Sequence, residues 1–168
     1  MQALHSNSSQ VEKLYREHGA ALVLFASAIA GERSRAQDAV HQVFLKLIEN
    51  GDLRQIMDKK AYLFACVRNA VLNDAKVRQR NVALDSEAPW FIRANRDSDA
   101  ELDLQRALCS LPDDQRQAII LHIWGELTFS QIAEVLGTNS NTAASRYRYA
   151  LVKMRDAMCA KEDFRANS

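Results

Sequence analysis

The sequence predicts an all-α protein made of two small helical domains joined by a flexible linker, the second domain containing a helix-turn-helix. Three observations lead there. Only five Gly and two Pro interrupt 168 residues, and no sustained alternating run of Val, Ile or Thr marks strands. Apolar residues recur instead at three and four residues over most of the chain. A polar, acidic stretch breaks that periodicity near the middle, which sets a first domain at residues 8–82, a linker at 83–99 and a second domain at 100–160. A hydrophobic content of 48% supports one ordinary core or two small ones.

The first helix is expected to start at a capping box formed by Ser9 and Glu12. Val11, Leu14, Tyr15, His18, Leu22, Phe25 and Ile29 then share one face, with a loosening at Gly19. A second helix is expected from near Ser34, with Ala36, Val40, Val43, Phe44, Leu47 and Ile48 facing inward, and the NGD at 50–52 stops it. The third runs from about Asp58 to Arg80. It buries Leu63, Val67, Ala70 and Val71 and exposes Lys60, Arg68, Asn69, Asn73, Lys76, Arg78 and Arg80 on a polar, basic side. Phe44, Tyr62 and Phe64 read as core or core-edge residues. The polar loop before the third helix, residues 50–57, has a composition that suits an unstacked base of a single strand.

In the second domain, Asp99 is placed to cap a helix containing Leu102, Leu104, Leu108 and Leu111. Pro112 fits the first position of another helix running to Trp124, in which Ile119, Ile120, Ile123 and Trp124 form a packing surface. The closing stretch LTFSQIAEVLGTNSNTAASRYRYALVKMR, residues 127–155, carries its own punctuation. Thr128 and Gln131 have capping-box spacing, Gly137 suits a left-handed helix stop, and Asn139 suits the cap of the next helix. In that last helix Ala143, Tyr147, Ala150, Leu151 and Met154 are expected to face the core. Asn141, Ser145, Arg148 and Tyr149 then lie on the opposite face, flanked by Thr142, Arg146 and Lys153. Between Thr138 and Arg155 there are four basic residues and no acid. A short helix pair with such a face suits a DNA major groove, where polar side chains meet base edges and cations meet phosphates.

The formal net charge of +1 says little, but its distribution says more. From Arg54 to Arg80 seven Lys or Arg face only Asp58 and Asp74, whereas Asp85 to Asp103 holds six acids against Arg93 and Arg96. Two basic modules flanking an acidic connector point to nucleic acid as a partner. Other classes fit poorly. Cys66, Cys109 and Cys159 have neither metal-ligand spacing nor an even count, and His5, His18, His41 and His122 form no cluster, so no metal and no cofactor is expected. No glycine-rich phosphate loop or nucleophile elbow is present. The longest strongly apolar run, Ala20 to Ala30, is too short to span a bilayer, and MQALHSNSS is not a secretory leader, so no membrane insertion and a cytoplasmic location are expected.

These residues resemble the bacterial RNA polymerase sigma factors of the extracytoplasmic-function group, which keep two conserved helical domains called region 2 and region 4. RSRAQDAVHQVFLKLIE at 33–49 is similar to the helix that docks on the polymerase clamp, and KKAYLFACVRNAVLNDAKVRQR at 59–80 to the promoter-melting helix. The second domain carries the Leu-Pro start at 111–112, the Gln-Arg pair at Gln115 and Arg116, and the Ile-Ala-x-x-Leu-Gly turn at 132–137. The resemblance implies a noncatalytic subunit whose partners are core polymerase, through the clamp helices and flap of its large subunits, promoter DNA, and an anti-sigma factor. It places −35 recognition on Asn141, Thr142, Ser145, Arg146, Arg148, Tyr149 and Lys153. It places −10 recognition and melting on Gly51, Asp52, Leu53, Arg54, Lys60, Arg68, Asn69, Lys76, Arg78 and Arg80. The docking helix has His41 where relatives often carry an acid, so clamp binding is assigned to Asp38, His41, Gln42 and the apolar shoulder of Val43 and Phe44. Ser140 and Ala144 replace a bulky apolar and a basic residue usual in the recognition helix, so promoter specificity does not carry over from relatives. A helix-turn-helix regulator that binds duplex DNA without core polymerase is the alternative.

Overall fold

A computed structural model describes residues 2–77 and 98–166. Seven α-helices occur among them: α1 Gln2–Ala30, α2 Arg33–Asn50, α3 Lys59–Val77, α4 Ser98–Cys109, α5 Asp113–Ile123, α6 Phe129–Leu136 and α7 Ser140–Ala166, with a short 3-10 turn at Leu53–Gln55. The first three form one unit and the last four another. The segment between them, and with it Arg78 and Arg80, lies outside the described residues.

In the first unit α1 packs on α2 and α3 through Leu22, Phe25, Val40, Phe44, Leu63, Phe64 and Val67, all buried. The Phe25 and Phe64 rings meet edge-on with centroids 5.6 Å apart. The first helix begins earlier than its sequence punctuation suggests. Ser9 stands exposed inside α1, and Glu12, instead of closing a capping box, pairs with Arg16 one turn on at 2.8 Å. The earlier start is secured on α2: Asn7 Nδ2 donates to the Leu47 carbonyl, 3.1 Å away at the end of that helix. α1 also runs unbroken through Gly19. α2 starts at Arg33, so Ser34 caps nothing and its hydroxyl donates to the Glu32 carboxylate instead. Ile48, expected inward, is 43% exposed, and Ala70 is only partly buried. Asp58 does cap α3, its Oδ1 accepting from the Ala61 amide at 3.0 Å.

The second unit is organised around α5, whose Ala118, Ile119, Ile120 and Leu121 are fully enclosed. α6 and α7 pack against it, and α4 reaches α7. α4 begins at Ser98, so Asp99 sits in its first turn and does not cap it. Pro112 occupies the cap position before α5 instead of its first helical position. Ile123 is half-exposed, because the helix ends there and the chain turns away.

The sharp corner from α4 to α5 has a cation inside it. Arg116 is 5% exposed, and its guanidinium donates to the carbonyls of Leu108 at 3.0 Å and Leu111 at 2.6 Å and to the Asp113 carboxylate at 2.9 Å. Carbonyls at a helix C-terminus have no partners inside the helix and carry the negative end of its dipole, so a planar five-donor cation satisfies several at once. The Leu-Pro and Gln-Arg features of the sequence are thus two halves of one corner. Arg116→Ala takes the donor from the Leu111 carbonyl in the interior and leaves the Leu108 carbonyl only its bond from the Leu111 amide, and should lower unfolding stability by about 3 kcal/mol in a chemical denaturation measurement. Arg116→Lys, with fewer donors, should recover only part of that loss.

Candidate nucleic-acid interface

The α6–turn–α7 unit is built as its punctuation requires. The Thr128 amide donates to Gln131 Oε1 at 2.8 Å and the Gln131 amide to Thr128 Oγ1 at 3.2 Å, a reciprocal box that starts α6. Gly137 stops α6 in the left-handed region at φ 67°, and Asn139 Oδ1 accepts from the Thr142 amide at 2.9 Å to start α7. The short turn between these caps fixes the angle at which α7 leaves α6.

Packing decides which face of α7 is free. Ala143, Ala150 and Met154 are buried, and Tyr147 closes a ring cluster with His122 and Phe129, its centroid 4.5 Å from the imidazole. Leu151, expected in the core, is 40% exposed: the small residues Ala143 and Ala150 bring α7 close to α5 along a narrow seam that leaves Leu151 at its edge. Asn141, Arg148, Tyr149 and Lys153 are exposed, and Thr142 and Ser145 are half-buried. Arg148 Nη2 donates to Ser145 Oγ at 3.2 Å, which orients the guanidinium along the outer face. Arg146 points the other way, to the Asp114 carboxylate on α5 at 3.0 Å.

The first unit presents α3. Asn69 and Lys76 are exposed on it, whereas Lys60 and Arg68 are partly covered by the second unit. Lys60 Nζ donates to the Glu126 carbonyl at 3.2 Å and Arg68 Nε to Gln117 Oε1 at 2.9 Å. Burial, and then the charge of Arg146 nearby, pull the Arg68 pKa below its usual value. In the loop before α3, Gly51 ends α2 where a Cβ would collide with the Leu47 carbonyl at 2.6 Å. Asp52 caps the short turn through the Arg54 amide at 3.0 Å. Leu53, grouped with the loop's base-contacting residues from sequence, is 1% exposed and anchors the loop in the core instead. Met57 beside it is fully exposed.

On α2 the exposed residues include Asp38, His41 and Gln42, with His41 Nε2 3.2 Å from the Tyr15 hydroxyl. Val43 and Phe44, the expected apolar shoulder, are 7% and 5% exposed and face inward, Phe44 edge-on to Tyr15. Leu45 and Ile48 take that place, at 56% and 43% exposure. Leu45 stands four residues after His41 and three after Gln42, and Ile48 three after Leu45; that helical stripe is the signal the sequence offers for them, and Ile48 is ambiguous there because it borders both faces.

A basic helix in one unit and a capped helix pair with a free polar face in the other define a helix-turn-helix protein of the DNA-binding class. Family models match both units: sigma-70 region 2 over residues 14–81 and sigma-70, region 4 over residues 101–154. The ECF RNA polymerase sigma factor EcfG of Rhodopseudomonas palustris is 30% identical over 135 residues, 77% of this chain and 75% of that protein. SigL of Mycobacterium tuberculosis, another ECF RNA polymerase sigma factor, is 26% identical over 163 residues, covering 91% of each chain. Among solved structures, the sigma factor RpoE from Bartonella quintana, in complex with the anti-sigma factor NepR, superposes with a TM-score of 0.71 at 25% identity, covering 88% of this chain and 97% of that one. CnrH, in complex with the cytosolic domain of CnrY, shares the fold at a TM-score of 0.67 and 21% identity, over 95% and 94% of the two chains. The chain therefore belongs to the extracytoplasmic-function group of sigma-70 family RNA polymerase sigma factors. As such it is a noncatalytic factor that directs promoter recognition and transcription initiation, which sets aside a regulator acting without polymerase. No described helix is long and apolar enough to cross a membrane.

His18 lies where the units meet, and its pKa is lowered from 6.5 by burial first and the charge of Lys60 second, against the opposing pull of Glu17 and Glu126. As pH falls below about 6.5 the unfolded chain takes up a proton that the folded chain refuses until its own lower pKa is reached, so stability declines through that window. His18→Gln should flatten this part of the pH profile of thermal unfolding and leave the part above it unchanged.

Proposed function

We propose that residues 100–160 form the domain that reads the −35 element and residues 8–82 the domain that holds the opened −10 strand, with 83–99 connecting them. The observation that carries this is the free face of α7: Asn141, Arg148 and Tyr149 stand exposed on a helix whose start, angle and buried side are all fixed by named contacts. Arg148 is the main base reader in this proposal, its planar fork suiting guanine O6 and N7. Thr142, Ser145, Arg146 and Lys153 position the backbone. Arg146 must exchange Asp114 for a phosphate to do so. In the first domain Gly51, Asp52 and Arg54 shape a loop that receives an unstacked base, and Lys60, Arg68, Asn69 and Lys76 hold the strand along α3. Arg78 and Arg80 continue that basic series in sequence.

Core polymerase docks, in this proposal, on the outer face of α2 at Asp38, His41 and Gln42, with Leu45 and Ile48 supplying the apolar contact that Val43 and Phe44 cannot reach. The flap of the other large subunit engages residues 100–160. An anti-sigma factor is a further proposed partner, supported by the similar Bartonella quintana sigma factor having been solved with one.

Transcription reconstituted with core polymerase on a promoter library tests the whole scheme: initiation should depend on both core and this chain and should select a defined pair of elements. Arg148→Ala should relax preference at one or two adjacent −35 positions by about 1 to 3 kcal/mol, read by selection over randomised sequences. If Arg148 instead held a phosphate, the same change would weaken all sequences alike and reduce the salt dependence. Removing the charges of Arg68 and Lys76 together should weaken binding of the holoenzyme to an open-promoter mimic more than assembly with core.

A further inference from the structure

The last turn of α5 grips the bend that leads into α6. Leu127 is 1% exposed, and both of its backbone groups are tied to α5: its amide donates to the Leu121 carbonyl at 3.1 Å, and its carbonyl accepts from His122 Nδ1 at 2.8 Å. A carbonyl oxygen only accepts, so Nδ1 carries the hydrogen. The chain between is sharply turned. A Cβ at Gly125 would meet the Leu121 carbonyl at 2.5 Å, and Glu126 stands in the left-handed region at φ 52°.

The same hydrogen bond fixes the plane of the imidazole, and two rings from other helices meet it. Phe129, the first residue of α6, stacks on it with centroids 4.7 Å apart and planes 16° from parallel. Tyr147 of α7 meets it at 4.5 Å and 66°. Phe129 and Tyr147 are themselves 5.5 Å apart, so α5, α6 and α7 each contribute one ring to a triangle.

On either side of Tyr147 the seam between α7 and α5 is made of small groups. Ala143 and Ala150 are buried there, and a methyl group that lets two helices lie close offers little shape to resist a roll of one about its own axis. Tyr147, four residues after one alanine and three before the other, supplies the bulk on that face. Arg148 is the next residue, so any roll at Tyr147 carries the guanidinium with it. Its hydrogen bond to Ser145 lies within α7 and moves with the helix. The ion pair from Arg146 to Asp114 does cross to α5, but the proposed function gives Arg146 to a phosphate when DNA is bound. The ring triangle is then what holds the rotation of α7.

The geometry points to His122 as a positioning residue for −35 recognition: through Tyr147 it sets the rotation of α7, and with it the base edge that Arg148 faces. This rests on the proposed assignment of the outer face of α7 to the −35 element. His122 acts without touching DNA.

Three substitutions separate its two contacts. His122→Asn keeps a nitrogen donor two bonds from Cβ, as Nδ1 is, and loses the ring. His122→Phe keeps a ring and loses the donor, and His122→Ala loses both. Each is assembled with core polymerase and carried through selection over randomised −35 sequences, below the thermal unfolding temperature of every variant, beside wild type and Tyr147→Leu. His122→Ala should lower the preference for the selected −35 sequence about fivefold or more, the discrimination of one base contact, with Asn and Phe falling between it and wild type. Assembly with core and binding to a promoter with a scrambled −35 element should stay as in wild type. On a Tyr147→Leu background His122→Ala should change the preference by less than about twofold, because the route is already cut.

If the folded variants melt earlier yet keep the wild-type preference, His122 is a core residue only and the inference is overturned, while the −35 assignment stands. An equal loss of preference with and without Tyr147 overturns the route through that ring. Wild type selecting no −35 sequence at all would instead sink the proposed function, and this inference with it. Should His122→Ala fail to fold, His122→Asn and His122→Phe decide by the same criteria.

Discussion

A guanidinium sealed inside a helix corner sets the geometry on which the rest of the second unit depends. From its position on α5, Arg116 binds the Leu108 carbonyl at the end of α4 and the Leu111 carbonyl in the turn after it, so the two helices cannot change angle without straining buried polar contacts. That constraint reaches further than the corner. α5 carries the apolar surface that seats α6 and α7, and from its first turns Asp114 and Gln117 reach out to Arg146 and Arg68. The buried cation therefore orients a platform that touches both basic helices. From sequence alone the same residue stands out only as half of a Gln-Arg pair, and its burial is not visible there.

Helix ends act in a comparable way elsewhere. Thr128, Gln131, Gly137 and Asn139 fix α6 and α7 through hydrogen bonds at their ends, and almost no bulk is needed in the turn between them. Since the seam between α7 and α5 is lined by alanines, α7 lies close and its outer side chains stand clear, which is what a helix entering a groove requires. On the other unit the cap of α3 has a second use, because the carboxylate that starts the helix also accepts from Gln131. Short polar residues that look purely local in the sequence hold the two units in register.

The outer face of α2 shows how a partner surface differs from a core face. Val43 and Phe44 are consumed by packing on α1, whereas Leu45 and Ile48 remain outside beside Asp38, His41 and Gln42. An apolar stripe wider than one helix can bury is left over for something else to cover. Moving the stripe from 43 and 44 to 45 and 48 changes which side chains are available to a partner and which hold the fold.

Local chemistry was legible in the sequence because it is written within a few residues: the capping box at Thr128 and Gln131, the left-handed stop at Gly137, the caps at Asn139 and Asp58, and the inward periodicity of most helices. Those signals determined an all-helical chain with a helix-turn-helix near its end and a basic third helix, and the family resemblance followed from their order. Boundaries set by remote contacts were not legible. α1 starts before Ser9 because Asn7 reaches the end of α2, forty residues away, and Leu53 is core because the loop folds back on its own unit. Nor did periodicity show that Lys60 and Arg68 would meet Glu126 and Gln117, or that Asp58 would meet Gln131. Charge pattern states which side chains can bind an anion; only the packing of one unit against the other decides which of them are free to do so.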